Sequence, residues 1–376
     1  MSKCRVKFSN KDKSNFFQVL RERVELHFKE SDRSKFGGTS LVIKGIFMIS
    51  LFLVPYALIL SNTCPLWLMT LLAFIMGIGI SGIGMSVMHD ANHGSFSAIS
   101  WVNTLSSSSL YLLGGNVLNW RVQHNTLHHT YTNIHDMDED ITGKPLLRLS
   151  PSERPKQYHQ YQHIYAFLLY GLMTFSFFVK DFRQAYRYSR EKESKVVKPF
   201  TRMELTVLFL SKLFYLVFIA VLPIWLTDLT FVQWLIGFCI MHFTAGLILS
   251  IIFQMAHIVE GAEHAMPDEQ GTVHNAWAIH QVRTTANFGC PVWVSWFIGG
   301  LDFQVEHHLF PNISHVHYRA LSKIVRRTAE DFDIPYNAKS SLLDALRSHV
   351  NMLKELGNGN AYHEFAVQEA PVNQLS

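Results

Sequence analysis

The sequence predicts an all-α integral membrane fold: four transmembrane helices in two hairpins beneath a cytosolic helical cap. Three observations predict it. Only 16% of the 376 residues are charged while 48% are hydrophobic, a balance poor in charge for a chain of this length. The apolar residues fall in blocks at 40–60, 66–88, 205–227 and 231–256, each near the ~20 residues that span a bilayer. Basic residues crowd the segments before residue 40 and between 121 and 202, whereas the links 61–65 and 228–230 carry none. Positive charge is retained on the cytosolic side, so both links face outward and the remaining polar segments face the cytosol.

Residues 1–39 read as a cytosolic amphipathic arm, with Phe16, Phe17, Leu20 and Val24 set among charges. They show no short apolar leader with a cleavage site, so the amino terminus is expected in the cytosol. The first hairpin turns at Asn62 and Pro65, residues that punctuate apolar runs. Its second helix carries Gly77, Gly79, Gly82 and Gly84, small residues that let membrane helices approach closely. Residues 101–120 are apolar but interrupted by serines and by Gly114-Gly115, and 161–179 form an aromatic block preceded by His159 and His163. Both are expected to lie at the interface, because a single crossing at either place would put histidine-rich segments on opposite sides of the membrane. The second hairpin returns the chain to the cytosol at His257. The domain plan is therefore the arm 1–39, a membrane domain 40–318 and a cytosolic C-terminal segment 319–376.

Cys4, Cys64, Cys239 and Cys290 lack ligand or redox spacing and are expected to be free thiols. A net charge of +4 without a basic stripe gives no support for nucleic-acid binding. Arg121, Lys144 and Arg148 suit the cytosolic interface, or alternatively the phosphates of a ligand.

Three histidine clusters organise the polar segments: His89 with His93, His124 with His128 and His129, and Gln304 with His307 and His308. On a helix, residues three or four apart share a face, so each cluster presents its imidazoles together. Neutral imidazole suits iron, zinc, copper and nickel, whereas calcium and magnesium prefer oxygen. Seven box histidines exceed what one four-coordinate zinc uses, so the cap is expected to hold a dinuclear metal site. Asp90, Asp302 and Glu306 stand beside the boxes and are expected to orient ligating rings. The acidic run 136–140 reads mainly as a solvated turn. A metal-transporting protein would instead line its spans with histidines, yet only His242 lies well inside one.

The boxes His89-x-x-x-His93, His124-x-x-x-His128-His129 and Gln304-x-x-His307-His308, placed after paired membrane hairpins, resemble those of the membrane fatty acid desaturases. The resemblance runs over about 40–318. Gln304, within Phe303-Gln304-Val305-Glu306-His307-His308, is similar to the front-end subgroup, which desaturates between an existing double bond and the carboxyl end. The His-Pro-Gly-Gly heme motif of a fused cytochrome b5 domain is absent from these residues. The resemblance implies two irons and dioxygen as co-substrate. It also implies two electrons from an external protein, cytochrome b5 or ferredoxin, and a fatty acyl substrate such as linoleoyl. It makes His89, His93, His124, His128, His129, His257, His307 and His308 expected ligands, with Gln304 and His280 as further candidates; His264, His274, His315 and His317 read as surface or structural. A hydroxylase or sphingolipid desaturase would use the same centre and differ in its product.

Overall fold

The computed structural model describes residues 6–9, 14–190 and 197–359. Cys4 and the end of the C-terminal segment lie outside the described residues. Cys64, Cys239 and Cys290 are free thiols.

Helix α1 (Phe16–Ser31) leads to α2 (Gly38–Leu60) and α3 (Leu66–Asn92), the first hairpin. The second pairs α7 (Arg202–Leu226) with α8 (Phe231–His257), and between the hairpins lie α4 (Ser100–Ser108), α5 (Gln157–Gly171) and α6 (Thr174–Arg190). The four hairpin helices are long and apolar enough to cross a membrane. Beyond α8 come α9 (Trp277–Thr284), α10 (Gln304–Leu309), α11 (Tyr318–Asp331) and α12 (Leu342–Asn358). Two short parallel pairings, Lys7–Phe8 with Thr272–Val273 and Asn287–Phe288 with Ala338–Lys339, tie the ends of the chain to the cap.

Local chemistry fixes where the second hairpin's helices begin. Thr201 with Glu204, and Thr230 with Gln233, form reciprocal capping boxes that satisfy otherwise unpaired backbone donors. The two hairpin turns also meet: Asn62 Nδ2 donates to Asp228 Oδ2 at 2.7 Å, and the Asp228 amide donates back to Asn62 Oδ1 at 3.2 Å.

Helix α3 is wedged between α2 and α8. A methyl group at Gly77 would meet the Met241 carbonyl oxygen at 2.5 Å, and one at Gly79 the Leu51 backbone at 2.8 Å. The backbones therefore approach as only glycine permits.

Neither interfacial segment forms a straight crossing. Gly114, at φ +77°, ends the run that follows α4, and a 60° bend separates α5 from α6.

The amino-terminal arm is not a separate unit. Its face of Phe16, Leu20 and Val24 packs against Val282, Leu309, Leu321 and Val325, so α1 closes the cap together with α9, α10 and α11. The boundary expected at 318/319 likewise falls inside a packed core, since Tyr318, Leu321 and Val305 share it.

Candidate metal centre

Every box lies at the cap end of the membrane helices. Within α3 the π-helical turn Ile83–Met88 immediately precedes His89. An extra residue in one turn rotates all that follows by about 100°, which sets the direction of His89. The second box is itself π-helical over Arg121–His128. His124 and His128 still share a face, their rings stacked at 5.3 Å, and their ligand atoms and an Asp140 oxygen lie within 4.8 Å of one another. A π turn stacks residues five apart, and His124 Nε2 lies 3.2 Å from His129 Nε2.

The imidazoles form two adjoining groups. In one, ring nitrogens of His89, His93, His124 and His307 lie within 4.8 Å of one another; in the other, those of His128, His257 and His308 do. His129 stands between them, its ring centre 4.6 Å from His307 and 4.4 Å from His308. His89 Nε2 is 3.1 Å from His124 Nε2.

Four of the second nitrogens are held from outside the boxes, whereas His89 Nδ1 and His129 Nδ1 are buried without a hydrogen-bond partner. His128 Nδ1 faces Asp138 Oδ2 at 3.0 Å, His308 Nδ1 faces Gln281 Oε1 at 2.9 Å, and His307 Nδ1 meets the Tyr318 hydroxyl at 3.1 Å. His257 Nδ1 points to the Thr284 carbonyl at 3.4 Å. A hydrogen bond at Nδ1 fixes the tautomer that leaves the Nε2 lone pair free. The Nε2 atoms of His93, His257, His307 and His308 are buried without a partner. Each such buried group costs about 1–3 kcal/mol unless something binds it, so this donor set fits metal ions.

Electrostatics point the same way. Burial, with neighbouring imidazoles adding to it, holds His93, His124, His129, His307 and His308 well below the ordinary imidazole range. Neutral rings are what a metal requires. For His128 burial also lowers the value, but Asp138 and Asp140 outweigh it and the net shift is upward.

Several other expected roles are redistributed. Among the carboxylates beside the boxes, Asp302 accepts from the Ser295 hydroxyl at 2.7 Å, and Glu306 accepts from Asn287 at 2.7 Å and Tyr336 at 2.8 Å; neither holds an imidazole of the centre. Glu306, buried, is pushed up to about 7. Asp90 keeps Oδ1 toward His89 Nδ1 at 4.0 Å while its Oδ2 meets His315 Nδ1 at 2.8 Å, and His315 Nε2 lies 2.8 Å from Lys44 Nζ. The acidic run, expected to be mainly a solvated turn, supplies the orienting Asp138, which is fully buried. His280 joins neither group, since its Nε2 bonds the Thr132 carbonyl at 2.9 Å. Gln304 is buried with an unpartnered amide nitrogen. Arg148 is buried too and clamps backbone carbonyls, donating to Glu153 at 2.5 Å and Pro151 at 2.6 Å. Arg121 donates to Asn92 Oδ1 at 2.8 Å, directly beside His93.

Gln281, Tyr318 and Thr132 carried no signal of their own in the sequence. Thr132 donates to Gln281 Oε1 at 2.9 Å, holding the amide that orients His308. Alternation and spacing do not reveal such partners, which lie up to 149 residues apart in the chain.

A four-span bundle with a buried imidazole cluster at one end, of a kind that could hold metal, defines a multi-pass membrane protein. The chain belongs to the fatty acid desaturase family, whose pattern matches residues 65–340, and it is a membrane fatty acid desaturase enzyme. It is 30% identical over 343 residues to the sn-1 linoleoyl-lipid 6-desaturase of Arthrospira platensis, covering 91% of this chain and 92% of that protein. It is 32% identical over 359 residues to the enzyme of the same name from Synechocystis sp., covering 95% and 99%. The acyl-lipid (8-3)-desaturase of Physcomitrium patens is 34% identical over 359 residues, covering 94% of this chain and 74% of that protein.

Proposed function

We propose that the protein is a front-end desaturase acting on a polyunsaturated C18 acyl chain, with linoleoyl as the leading substrate, at a di-iron centre on the cytosolic side. The observation that carries this reading is the pair of adjoining imidazole groups in which the Nε2 atoms of His93, His257, His307 and His308 are buried and unpartnered. The names of the relatives, linoleoyl-lipid 6-desaturase and acyl-lipid (8-3)-desaturase, support the substrate class.

His89, His93, His124 and His307 would hold one iron and His128, His257 and His308 the other, with His129 between them. Gln304 stands as a further donor beside His307. When bound, the irons supply the means to activate dioxygen. In balance, two vicinal C–H bonds break and a C=C bond forms. Dioxygen takes both hydrogens with their electrons from the chain, two electrons from an external carrier and two protons from solvent, and leaves as two waters.

The residues of the chain itself orient and exclude. Asp138, Gln281 and Tyr318 fix three rings, and the burial of the cluster keeps bulk water from the reacting methylenes. A cavity of about 900 Å³ between α2, α4 and α7 is walled by apolar side chains including Ile46, Leu105, Leu112 and Phe214. Val87 and Phe96, which flank the first box, also line it. It supports an acyl chain as the ligand.

The deciding experiment is gas chromatography with mass spectrometry of fatty acids from a host that expresses the chain and is fed linoleate, beside a His128→Ala control. A new trienoic acid that vanishes in the control is expected. An oxygenated product in its place would move the assignment to a hydroxylase.

A further inference from the structure

Net desaturation consumes two electrons that the acyl chain does not supply, so a reduced carrier must approach the centre from the aqueous side. We propose that the outer face of α11 is the docking surface for that carrier, and that the carrier is a small acidic electron-transfer protein. This rests on the desaturase reading above.

Four basic residues, Arg319, Lys323, Arg326 and Arg327, fall at positions i, i+4, i+7 and i+8 of α11 and are all exposed. That spacing places them along one face. Arg319 lies over the Phe303 ring and Arg326 over the Tyr336 ring, but among the described residues none of the four is paired with a carboxylate. Asp331, at the end of the same helix, is engaged by Arg23 of α1 at 2.6 Å. The stripe therefore offers four charges outside any ion pair, with Glu330 one turn beyond Arg326 and Arg327.

The opposite face of the helix touches the centre. Tyr318 begins α11 and meets His307 Nδ1 at 3.1 Å. A helix with its side chains is about 10 Å across, so a carrier at the Arg319 end of the stripe would sit roughly one helix diameter from the His307 contact, and further from it toward Arg327.

The stripe begins beside the entry to α2 and runs along α1 away from it. The Ser314 amide donates to the Lys35 carbonyl at 2.9 Å, just before α2 begins, and Arg23 meets Asp331 at the far end of α11. At ~1.5 Å per residue, Lys323 to Arg327 stand roughly 7 to 14 Å beyond Tyr318. Lipid headgroups are the less fitting partner for charges so placed.

Helix α6 offers the other basic row, Arg183, Arg187 and Arg190. There Arg187 is paired with Glu139 and Arg190 bonds the Tyr186 hydroxyl, so the row is partly neutralised. Complementary charge steers encounter and fixes orientation, and α11 supplies the freer charge.

The test compares wild type, Lys323→Glu/Arg327→Glu, and Arg347→Glu/Lys354→Glu as a control on α12, each in phosphatidylcholine nanodiscs. The probes are the soluble heme domain of cytochrome b5 and a ferredoxin. The α11 variant is expected to bind at least one probe about 10-fold more weakly at low salt. The gap should narrow at high salt, and the control should bind as wild type does. Conversion of linoleoyl lipid driven by dithionite should be unchanged in the α11 variant. Equal binding of both probes by wild type and α11 variant would overturn the proposal. So would a gap that disappears when phosphatidylserine is added to the nanodiscs, which would show headgroups occupying the stripe. Wild type that makes no unsaturated product even with dithionite would count against the desaturase reading, whatever the binding results.

Discussion

His128 Nδ1 donates to Asp138 Oδ2 at 3.0 Å across ten residues of chain, and both side chains are buried. The pair joins the second histidine box to a polar turn, and the carboxylate fixes the tautomer of the ring.

Asp138→Ala is therefore expected to lower metal affinity about 10- to 100-fold, the usual effect of removing a partner that orients a ligand. Asp138→Asn keeps an acceptor and should lose less. Iron retained after dialysis against a graded chelator series measures both. Full retention by Asp138→Ala would remove this carboxylate from the supporting shell.

Tyr318→Phe and His280→Ala should separate two kinds of buried group. The first strips the partner from His307 Nδ1 and should weaken metal binding about 10-fold. The second removes a ring bonded to the Thr132 carbonyl and should leave metal content intact while costing about 1–3 kcal/mol of stability. Metal analysis beside thermal unfolding in detergent distinguishes them; loss of iron in His280→Ala would count against placing this ring outside the centre.

Gly77→Val and Gly79→Val should each prevent α3 from seating between α2 and α8. The added carbon would fall within 2.5–2.8 Å of backbone atoms that have no room to yield, and overpacking of this kind costs about 1–3 kcal/mol or more. The readout is yield and midpoint of thermal unfolding. Gly237→Ala serves as the comparison for space alone, because its added carbon meets only Ala73 Cβ at an ordinary 3.7 Å.

Acid should weaken the contact between α12 and the membrane helices. His349 is fully buried; its Nδ1 lies 2.8 Å from the Ile258 carbonyl and its Nε2 2.9 Å from the Tyr170 hydroxyl. Burial pushes it down to about 4, from an ordinary value of 6.5. Above 6.5 both folded and unfolded forms are neutral and the contribution is complete. As pH falls from 6.5 toward 4, only the unfolded form binds the proton, and stability drops by on the order of 3 kcal/mol. His349→Gln should flatten that part of the pH–stability curve. An unchanged slope would assign the acid sensitivity elsewhere.

The four apolar blocks mark the membrane helices to within a few residues, because burial in lipid leaves a run of apolar side chains that needs no partner to be recognised. The histidine boxes are legible for a related reason: ligands carried by one helix must recur at its period. What the period cannot show is a change of helix type. The π turns at Ile83–Met88 and Arg121–His128 regroup the rings, and nothing in the residue types announces them. The orienting partners are hidden differently. Asp302 and Glu306 stand next to ligand candidates in the chain yet bond Ser295, Asn287 and Tyr336. Gln281 reaches His308 from 27 residues away. Adjacency in sequence misled where only the folded cap decides. The arm at 16–31 was legible as amphipathic, but its apolar face meets residues near 282, 309 and 321, a contact that periodicity cannot name.

The two imidazole groups draw on residues 89–93, 124–129, 257 and 307–308. During synthesis neither group is complete until the second hairpin has been inserted and the last box has emerged. Until then the early histidines have no full set of companions, and an ion caught by His89 and His93 alone would be held weakly. Metal capture would therefore be a late event that only a finished chain performs well, and bound ions would act as a seal on correct assembly. A chain stopped before residue 307 should remain metal-poor and expose its half-built cap to the cell's proteases.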